Sequence, residues 1–278
     1  MSTTPSDATP PPPPQDVEEA ERRALDVLRD LGGPGVVALS AGTDSALVLH
    51  LAAEAWGPDH VLAATSRSES LPPEELDAAR TQAARIGVEH VELRGEELAI
   101  EAFRRNAPDR CFHCKNHLFE QLTELAAERG FRQVLDGANA DDVGDHRPGI
   151  QAGRALGVVS PLMRAGLTKP WIRALSKHRG LDTWDKPAEA CLSSRFPYGT
   201  EVTAEGLDRV YRAERALKDL GFATVRVRVH DPVARIEVPV QDLPALLAPG
   251  IRETAVAAVK AAGFGYVALD IEGFRSGS

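Results

Sequence analysis

Apolar residues recur along most of the chain in two spacings, and each spacing predicts a type of element. Between Val17 and Leu31 they fall at helical intervals, and Gly32-Gly33-Pro34-Gly35 ends the predicted helix. The uninterrupted apolar runs Val36–Leu39 and Val61–Thr65 are typical of strands that are covered on both faces. Because helical patterns flank these runs, the chain begins as an alternation of strands and helices.

The same alternation continues to about residue 187. The further predicted elements are a helix from about Asp44, a helix from Pro72-Pro73 to Gly87, a strand at Val88–Leu93, helices near Glu96–Arg105 and Cys111–Arg129, and strands at Gln133–Asp136 and Val158–Val159. This order predicts an α/β domain with a doubly wound parallel sheet over residues 17–187. In such sheets ligands bind beyond the carboxyl ends of the strands.

Residues 188–278 show a different pattern and predict a smaller α+β domain for substrate binding or oligomerisation. Its predicted elements are a helix at Thr203–Leu220, strands at Val225–His230 and Ala234–Val238, a helix at Ile251–Ala262 and a strand at Tyr266–Ile271. The two alternating strands flank Asp231-Pro232 and predict a hairpin with one buried and one solvated face. The solvated face would carry Arg226, Arg228, Arg235 and Glu237.

Composition narrows the possible partners and the compartment. Residues 1–16 include five consecutive prolines and predict a disordered tail. A formal charge of −9, from 41 acidic and 32 basic residues, argues against a nucleic acid as the general partner. No apolar run approaches the roughly 20 residues of a spanning helix, and no secretory signal pattern is visible. We therefore expect a cytoplasmic protein whose partners are small molecules. We also expect it to be a homo-oligomer.

The stretch Ser40-Ala41-Gly42-Thr43-Asp44-Ser45 joins the first strand to a helix, where free backbone N–H groups favour an anion. It resembles the Ser-Gly-Gly-x-Asp-Ser loop of the PP-loop ATP pyrophosphatases. The resemblance implies that Ser40, Gly42, Thr43, Asp44 and Ser45 hold ATP, which releases pyrophosphate. Ala41 departs from the usual glycine, and a methyl group there is costly only if φ is positive. An ordinary capped turn is the alternative interpretation.

A second segment supports a nucleotide site. Asp136-Gly137-Ala138-Asn139-Ala140-Asp141-Asp142 follows a predicted strand and resembles the Asp-Gly-Thr-Asn-x-Asp-Asp segment of several PP-loop enzymes. The resemblance places Gly137 at the nucleotide and Asp141 and Asp142 at Mg²⁺, which prefers oxygen ligands. Ser66 ends the second predicted strand, where the family binds adenosine. The alternative is a solvated acidic turn.

The three cysteines are too few for a disulfide framework. They lie in the segments Arg110–Lys115 and Lys186–Gly199, which resemble the LarE family of sulfur transferases from about residue 18 to the end of the chain. That family converts carboxylates of a pyridinium mononucleotide into thiocarboxylates for a nickel-pincer cofactor. The resemblance implies an ATP-dependent sulfur transferase that adenylates the carboxylate.

The family resemblance leaves two sulfur sources open. Cys111, Cys114 and Cys191 together imply a [4Fe–4S] cluster that carries sulfide from another donor, which is our preferred interpretation. Alternatively, Cys191 gives up its own sulfur in a single turnover. A zinc site with His113 and three inert buried cysteines are weaker alternatives.

Five charged side chains complete the predicted site. Lys115 and Arg195, each beside a cysteine, are suited to neutralising phosphate or a developing oxyanion. The polar hairpin face with Arg226, Arg228 and Glu237 is suited to binding the phosphate of the substrate nucleotide. The alternative interpretation of this face is a solvated surface.

Three rival functions remain for the protein: a tRNA thiolase, an amide ligase and a nucleotide-binding module without activity.

Overall fold

A computed structural model describes residues 13–142, 148–187 and 189–275, which divide into two compact units. The first unit holds the described residues of 13–67, 73–95 and 111–187. The second holds 68–72, 96–110 and 189–275, so it takes in two short stretches that precede the rest of it along the chain. Most of the predicted proline-rich tail lies outside the described residues. None of the described helices is both long and apolar enough to cross a membrane.

The first unit alternates strands and helices as the sequence predicts. Its helices are α1 (Val17–Leu31), α2 (Thr43–Trp56), α3 (Pro73–Ile86), α5 (Arg110–Arg129, whose first residue belongs to the second unit), α6 (Pro148–Ala155), α7 (Pro161–Arg164) and α8 (Lys169–His178). Its strands are β1 (Gly35–Ala38), β2 (Val61–Arg67), β3 (Glu89–Arg94) and β4 (Gln133–Leu135). The helix bounds of α1 follow from its caps: Asp16 accepts from the Glu19 amide at 2.7 Å, and Gly32 at φ +65° ends it.

These strands form a 4-stranded parallel sheet in the order β3-β2-β1-β4. Successive side chains of one strand enter different cores: Val37 packs with the helices α1, α2 and α8, whereas Val36 packs with α5. The prediction of an α/β fold with helices on both faces of a parallel sheet is therefore confirmed. The nucleotide-type loop lies at the carboxyl end of β1, a central strand.

Two predicted elements are shorter than expected. The fifth strand is reduced to a single bridge between Leu135 and Val159, with the Val159 amide donating to the Val134 carbonyl at 2.9 Å. The helix expected near 96–105 is a 3₁₀ turn at Glu97–Ala99 followed by the one-turn helix α4 (Glu101–Arg104). Both stretches are too short to carry the repeated apolar spacing that makes a prediction precise.

The second unit is an α+β structure built on a 3-stranded sheet. Besides α4, its elements are α9 (Ala204–Asp219), β5 (Arg226–His230), β6 (Val233–Glu237), α10 (Leu243–Leu246), α11 (Ile251–Ala261) and β7 (Tyr266–Leu269). Strands β5 and β6 form the predicted antiparallel hairpin, and β7 joins β6 in parallel. Thr203 caps α9 by accepting from the Gly206 amide at 3.1 Å.

Candidate functional site

The backbone of the Ser40–Ser45 loop takes a left-handed conformation at Ala41, where φ is +57°. This is the conformation in which the methyl group is costly, so the departure from glycine introduces strain into the loop. The Ser40 and Ser45 hydroxyls stand 3.1 Å apart, and the Ser40 amide donates to Ser45 Oγ at 3.2 Å. The structure therefore brings the two serine hydroxyls of the loop together.

Helix α2 begins at Thr43, within this loop, and has no side-chain cap. Its N-cap is Gly42, and the Thr43 hydroxyl donates instead to the Thr183 carbonyl at 2.7 Å. The first amides of the helix remain available to an anion, as does the positive end of the helix dipole. Gly137 packs against this end: a Cβ at position 137 would lie 2.9 Å from the Ser45 nitrogen. Only glycine fits there without displacing the loop.

Lys169 is a site residue that the sequence analysis missed. Its Nζ donates to Asp44 Oδ1 at 2.7 Å, and its backbone amide donates to Asp141 Oδ2 at 2.7 Å. Asp142 Oδ2 accepts from the Asn139 amide at 3.0 Å. The predicted magnesium carboxylates thus also stabilise the local turn. The sequence feature that could have indicated Lys169 is Thr168-Lys169-Pro170, in which a basic residue stands at the start of a helix.

Ser66 lies near the carboxyl end of β2, in register with Leu93 of β3, and is half-buried. It therefore occupies the strand end at which the sequence predicts adenosine.

Cys111 and Cys114 both lie in the first turn of α5, and Cys111 is exposed whereas Cys114 is half-buried. Lys115 follows them, and its Nζ lies 5.4 Å above the centre of the Phe119 ring. Cys191, in the second unit, is exposed, so the interpretation of three inert buried cysteines is wrong. Among the residues that the structure describes, no group of three or more His, Cys, Asp or Glu side chains could hold a metal ion.

Arg195 lies four residues after Cys191 and is buried, with 4% of its surface exposed. Its Nε and Nη2 donate to the two carboxylate oxygens of Glu214 at 2.7 and 2.9 Å, and its Nη1 donates to the Ala190 carbonyl at 2.8 Å. Burial alone would lower the pKa of Arg195, but Glu214 and the nearby Cys191 raise it. Its planar face and charge are therefore fixed beside Cys191 by a buried ion pair.

The expectation of a solvated hairpin face is wrong for three of its four charged residues, since only the Arg235 side chain is partly exposed. Arg226, Arg228 and Glu237 are 8%, 9% and 3% exposed, and Arg228 Nε donates to both Glu237 oxygens at 3.0 Å. Arg228 also donates to the Ser194 carbonyl at 2.9 Å, so the hairpin packs on the Cys191 segment. Arg228 and Glu237 keep the polar alternation because they are paired with each other inside the unit rather than hydrated.

Arg226 differs from its neighbours because no carboxylate of the described residues forms an ion pair with it. It lies over the Phe274 ring at 4.4 Å and donates weakly to the Arg275 carbonyl at 3.5 Å. Burial and the charges of Arg195 and Arg228 lower its pKa. The cluster around the hairpin thus buries Arg195, Arg226 and Arg228 against Glu214 and Glu237. This excess of positive charge favours the binding of an anion.

A parallel sheet with helices on both faces, and a strand–turn–helix loop at the end of a central strand, is an α/β architecture consistent with the PP-loop type. Among curated proteins, the chain is 39% identical over 241 residues to the pyridinium-3,5-bisthiocarboxylic acid mononucleotide synthase of Lactiplantibacillus plantarum, covering 87% of each chain. The chain belongs to the family of that synthase, the LarE family.

Two uncharacterized proteins are also similar to this chain. One, from Synechocystis, is 43% identical over 242 residues, which span 87% of this chain and 90% of the relative. The other, from Methanocaldococcus jannaschii, is 29% identical over 191 residues, which span 69% and 74%. No family model matches the sequence.

Proposed function

We propose that the protein is an ATP-dependent sulfur transferase that converts a carboxylate of a pyridinium mononucleotide into a thiocarboxylate. The observation that carries the proposal is the pairing of a relative named as a bisthiocarboxylic acid mononucleotide synthase with exposed cysteines in this chain. A synthase of a thiocarboxylate needs a sulfur source and an activated carboxylate, and the chain offers residues for both.

Activation of the carboxylate is assigned to the Ser40–Ser45 loop. The uncapped amides of α2, the paired serine hydroxyls and the close approach of Gly137 support binding of phosphate oxygens. The substrate carboxylate attacks the α-phosphorus of ATP, so an acyl-adenylate forms and pyrophosphate leaves. Asp141 and Asp142 would hold Mg²⁺, which neutralises phosphate charge.

Sulfur transfer then replaces AMP on the acyl group by one of two balanced routes. In the first, a hydrosulfide from an external donor attacks the acyl carbon and AMP leaves, giving the thiocarboxylate. In the second, the Cys191 thiolate attacks, AMP leaves, and loss of the Cys191 Cα proton breaks the Cβ–S bond. The products of the second route are the thiocarboxylate and a dehydroalanine at position 191.

A [4Fe–4S] cluster on Cys111, Cys114 and Cys191 would supply the hydrosulfide on its open iron. The position of Cys111 and Cys114 on one helical turn supports two of its three ligands. The absence of a three-ligand group within the described part of the chain does not support the third. The donation of sulfur from Cys191 itself is therefore a second candidate, favoured by the exposure of that thiol.

Pyrophosphate exchange tests the activation step. Labelled pyrophosphate should enter ATP in the presence of the carboxylate substrate, whereas formation of ADP would contradict adenylation. The sulfur source is tested on protein purified without oxygen. Iron and sulfide near four of each per chain, lost in Cys111→Ser, would support the cluster. Iron-free protein that loses one H₂S in mass per turnover, even as Cys111→Ser, would support donation from Cys191.

The hairpin arginines are proposed to bind the phosphate of the substrate nucleotide, and a matched pair of variants tests this. Arg226→Met removes a cation that forms no ion pair with a carboxylate of the described chain, so we expect unchanged stability and about tenfold weaker substrate binding. Arg228→Met leaves Glu237 buried with only the half-exposed Arg235, so we expect a clear loss of stability. Equal substrate affinity in Arg226→Met and wild type would contradict the assignment.

A further inference from the structure

Lys186 donates to a backbone carbonyl of the Ser40–Ser45 loop, and we infer that it is a positioning residue for that loop. It acts together with Gln82: both side chains donate to the carbonyl oxygen of Ala41, and together they set the direction of the next backbone amide. The inference rests on the proposed nucleotide function of the loop, and it assigns no contact between Lys186 and the reacting atoms.

The two donors converge on the one strained residue of the loop. Lys186 Nζ and Gln82 Nε2 each lie 3.1 Å from the Ala41 oxygen, across sequence separations of 145 and 41 residues. Ala41 is fully buried and has a φ of +57°. A left-handed alanine persists only where its surroundings hold it. Two hydrogen bonds to its carbonyl, one of them from a cation, provide that restraint.

The restraint fixes the neighbouring amide because the Ala41–Gly42 peptide is trans. In a trans peptide the carbonyl oxygen and the following N–H point in opposite directions. Holding the Ala41 oxygen toward Lys186 and Gln82 therefore directs the Gly42 N–H away from them. Gly42 is the N-cap of α2, and its amide then joins the first amides of that helix.

The charge of Lys186 is already neutralised within the first unit. Its Nζ donates to Glu75 Oε2 at 2.6 Å, and the two side chains are 22% and 13% exposed. A lysine placed to bind phosphate would keep its charge for the ligand. The ion pair with Glu75 instead orients the ammonium toward the Ala41 carbonyl, which is what a positioning role requires.

A cavity of about 760 Å³ gives access to this contact. Lys186 and Gln82 line it together with Thr183, whose carbonyl accepts from the Thr43 hydroxyl of the same loop. Arg85 lines the same cavity but pairs with the exposed Asp182. A small alkylammonium ion can therefore reach the space that a truncated Lys186 leaves, and Arg85 offers a matched cation for control variants.

The test compares Lys186→Ala with Arg85→Ala by ATP binding and by pyrophosphate exchange at saturating ATP. We expect Lys186→Ala to weaken ATP binding about tenfold and to leave the saturated exchange rate within about twofold. Arg85→Ala should match wild type in both. Ethylammonium should restore ATP affinity to Lys186→Ala, because it returns the lost donor. A collapse of the saturated rate with unchanged ATP affinity would overturn the inference and place Lys186 at the reacting centre.

Two further measurements separate this inference from misfolding and from the proposed function. The double variant Glu75→Gln/Lys186→Met leaves no unpaired acid, so it should fold and still show the weaker ATP binding. Hydrogen exchange of the segment 40–45 needs no nucleotide, and it should speed up in Lys186→Ala but not in Arg85→Ala. Unaltered exchange in Lys186→Ala would contradict the positioning role. Wild-type protein that binds no ATP would contradict the proposed function alone.

Discussion

The ion pair between Arg195 and Glu214 is the contact whose removal should cost the second unit most. Both side chains are 5% exposed, and the guanidinium and carboxylate meet through two hydrogen bonds of 2.7 and 2.9 Å. Arg195→Met keeps a long side chain but leaves Glu214 as a buried acid without its cation. We expect the free energy of unfolding to fall by about 3–5 kcal/mol, the usual result of removing one partner from a buried pair.

A second variant shows how much of that loss is the unpaired charge. Glu214 also accepts from the Val227 amide at 2.9 Å, a hydrogen bond that a glutamine carbonyl can retain. Arg195→Met/Glu214→Gln therefore buries no charge at this place and leaves the β5 amide satisfied. We expect it to recover to within about 1–2 kcal/mol of wild type, because neutral replacements of buried pairs are often tolerated.

Urea unfolding of the wild type, the two single variants and the double variant completes a double-mutant cycle. The expected loss is a large part of a typical stability of about 5–15 kcal/mol, so Arg195→Met should unfold at markedly lower urea. The cycle should give a coupling energy of about 2 kcal/mol or more between the two side chains. A loss below about 1 kcal/mol in Arg195→Met would mean that water screens the pair, and would refute the reasoning from burial.

Three other predictions concern the first unit. Ala41→Val should lower the free energy of unfolding by about 2 kcal/mol or more, because a branched side chain is strained at positive φ and overpacks a fully buried position; Ala41→Gly, its control, should stay close to wild type in urea unfolding. Lys169→Met should change stability by less than about 1 kcal/mol, since the pair with Asp44 is partly exposed. It should nevertheless weaken ATP binding about tenfold by calorimetry, because it leaves the Asp44 carboxylate of the loop without its cation, and that negative charge repels a phosphate; equal affinity would contradict this. Burial lowers the pKa of His50 and of His90 below the ordinary 6.5. The contribution of these neutral histidines to the free energy of unfolding should therefore be complete above pH 6.5 and should decrease as the pH falls toward the lowered pKa values. In urea unfolding at several pH values, His90→Asn should show a smaller decrease.

Local pattern was sufficient to predict most of the fold. The helix Val17–Leu31 has the predicted bounds, because a capping Asp16 and a terminating Gly32 mark its ends in the sequence itself. The parallel sheet follows from apolar runs that can only be buried on both faces. The short bridge at Val159 shows the limit, since two apolar residues cannot specify how long a strand becomes.

The side-chain partners at the candidate site could not be predicted in the same way. Lys169 meets Asp44 across 125 residues, and Lys186 meets Ala41 across 145, contacts that no local spacing encodes. The hairpin shows a different failure. Alternating charges at Arg226 and Arg228 indicated correctly that one strand face is polar, but a buried ion pair produces the same alternation as a solvated face. The sequence pattern shows which face of a strand is polar, whereas only the packing in the structure shows whether that face is exposed to water.

The pairing of cations around the nucleotide loop has a consequence for how ATP would be held. Lys169 is paired with Asp44, and Lys186 with Glu75, so neither ammonium carries an uncompensated charge toward a phosphate. The acids at the end of β4 add further negative charge to the same unit. Attraction for a triphosphate must then come from backbone amides, the α2 dipole and a divalent cation. Under the proposed function, the loop would therefore recognise the shape of a phosphate chain, and Mg²⁺ would balance its charge.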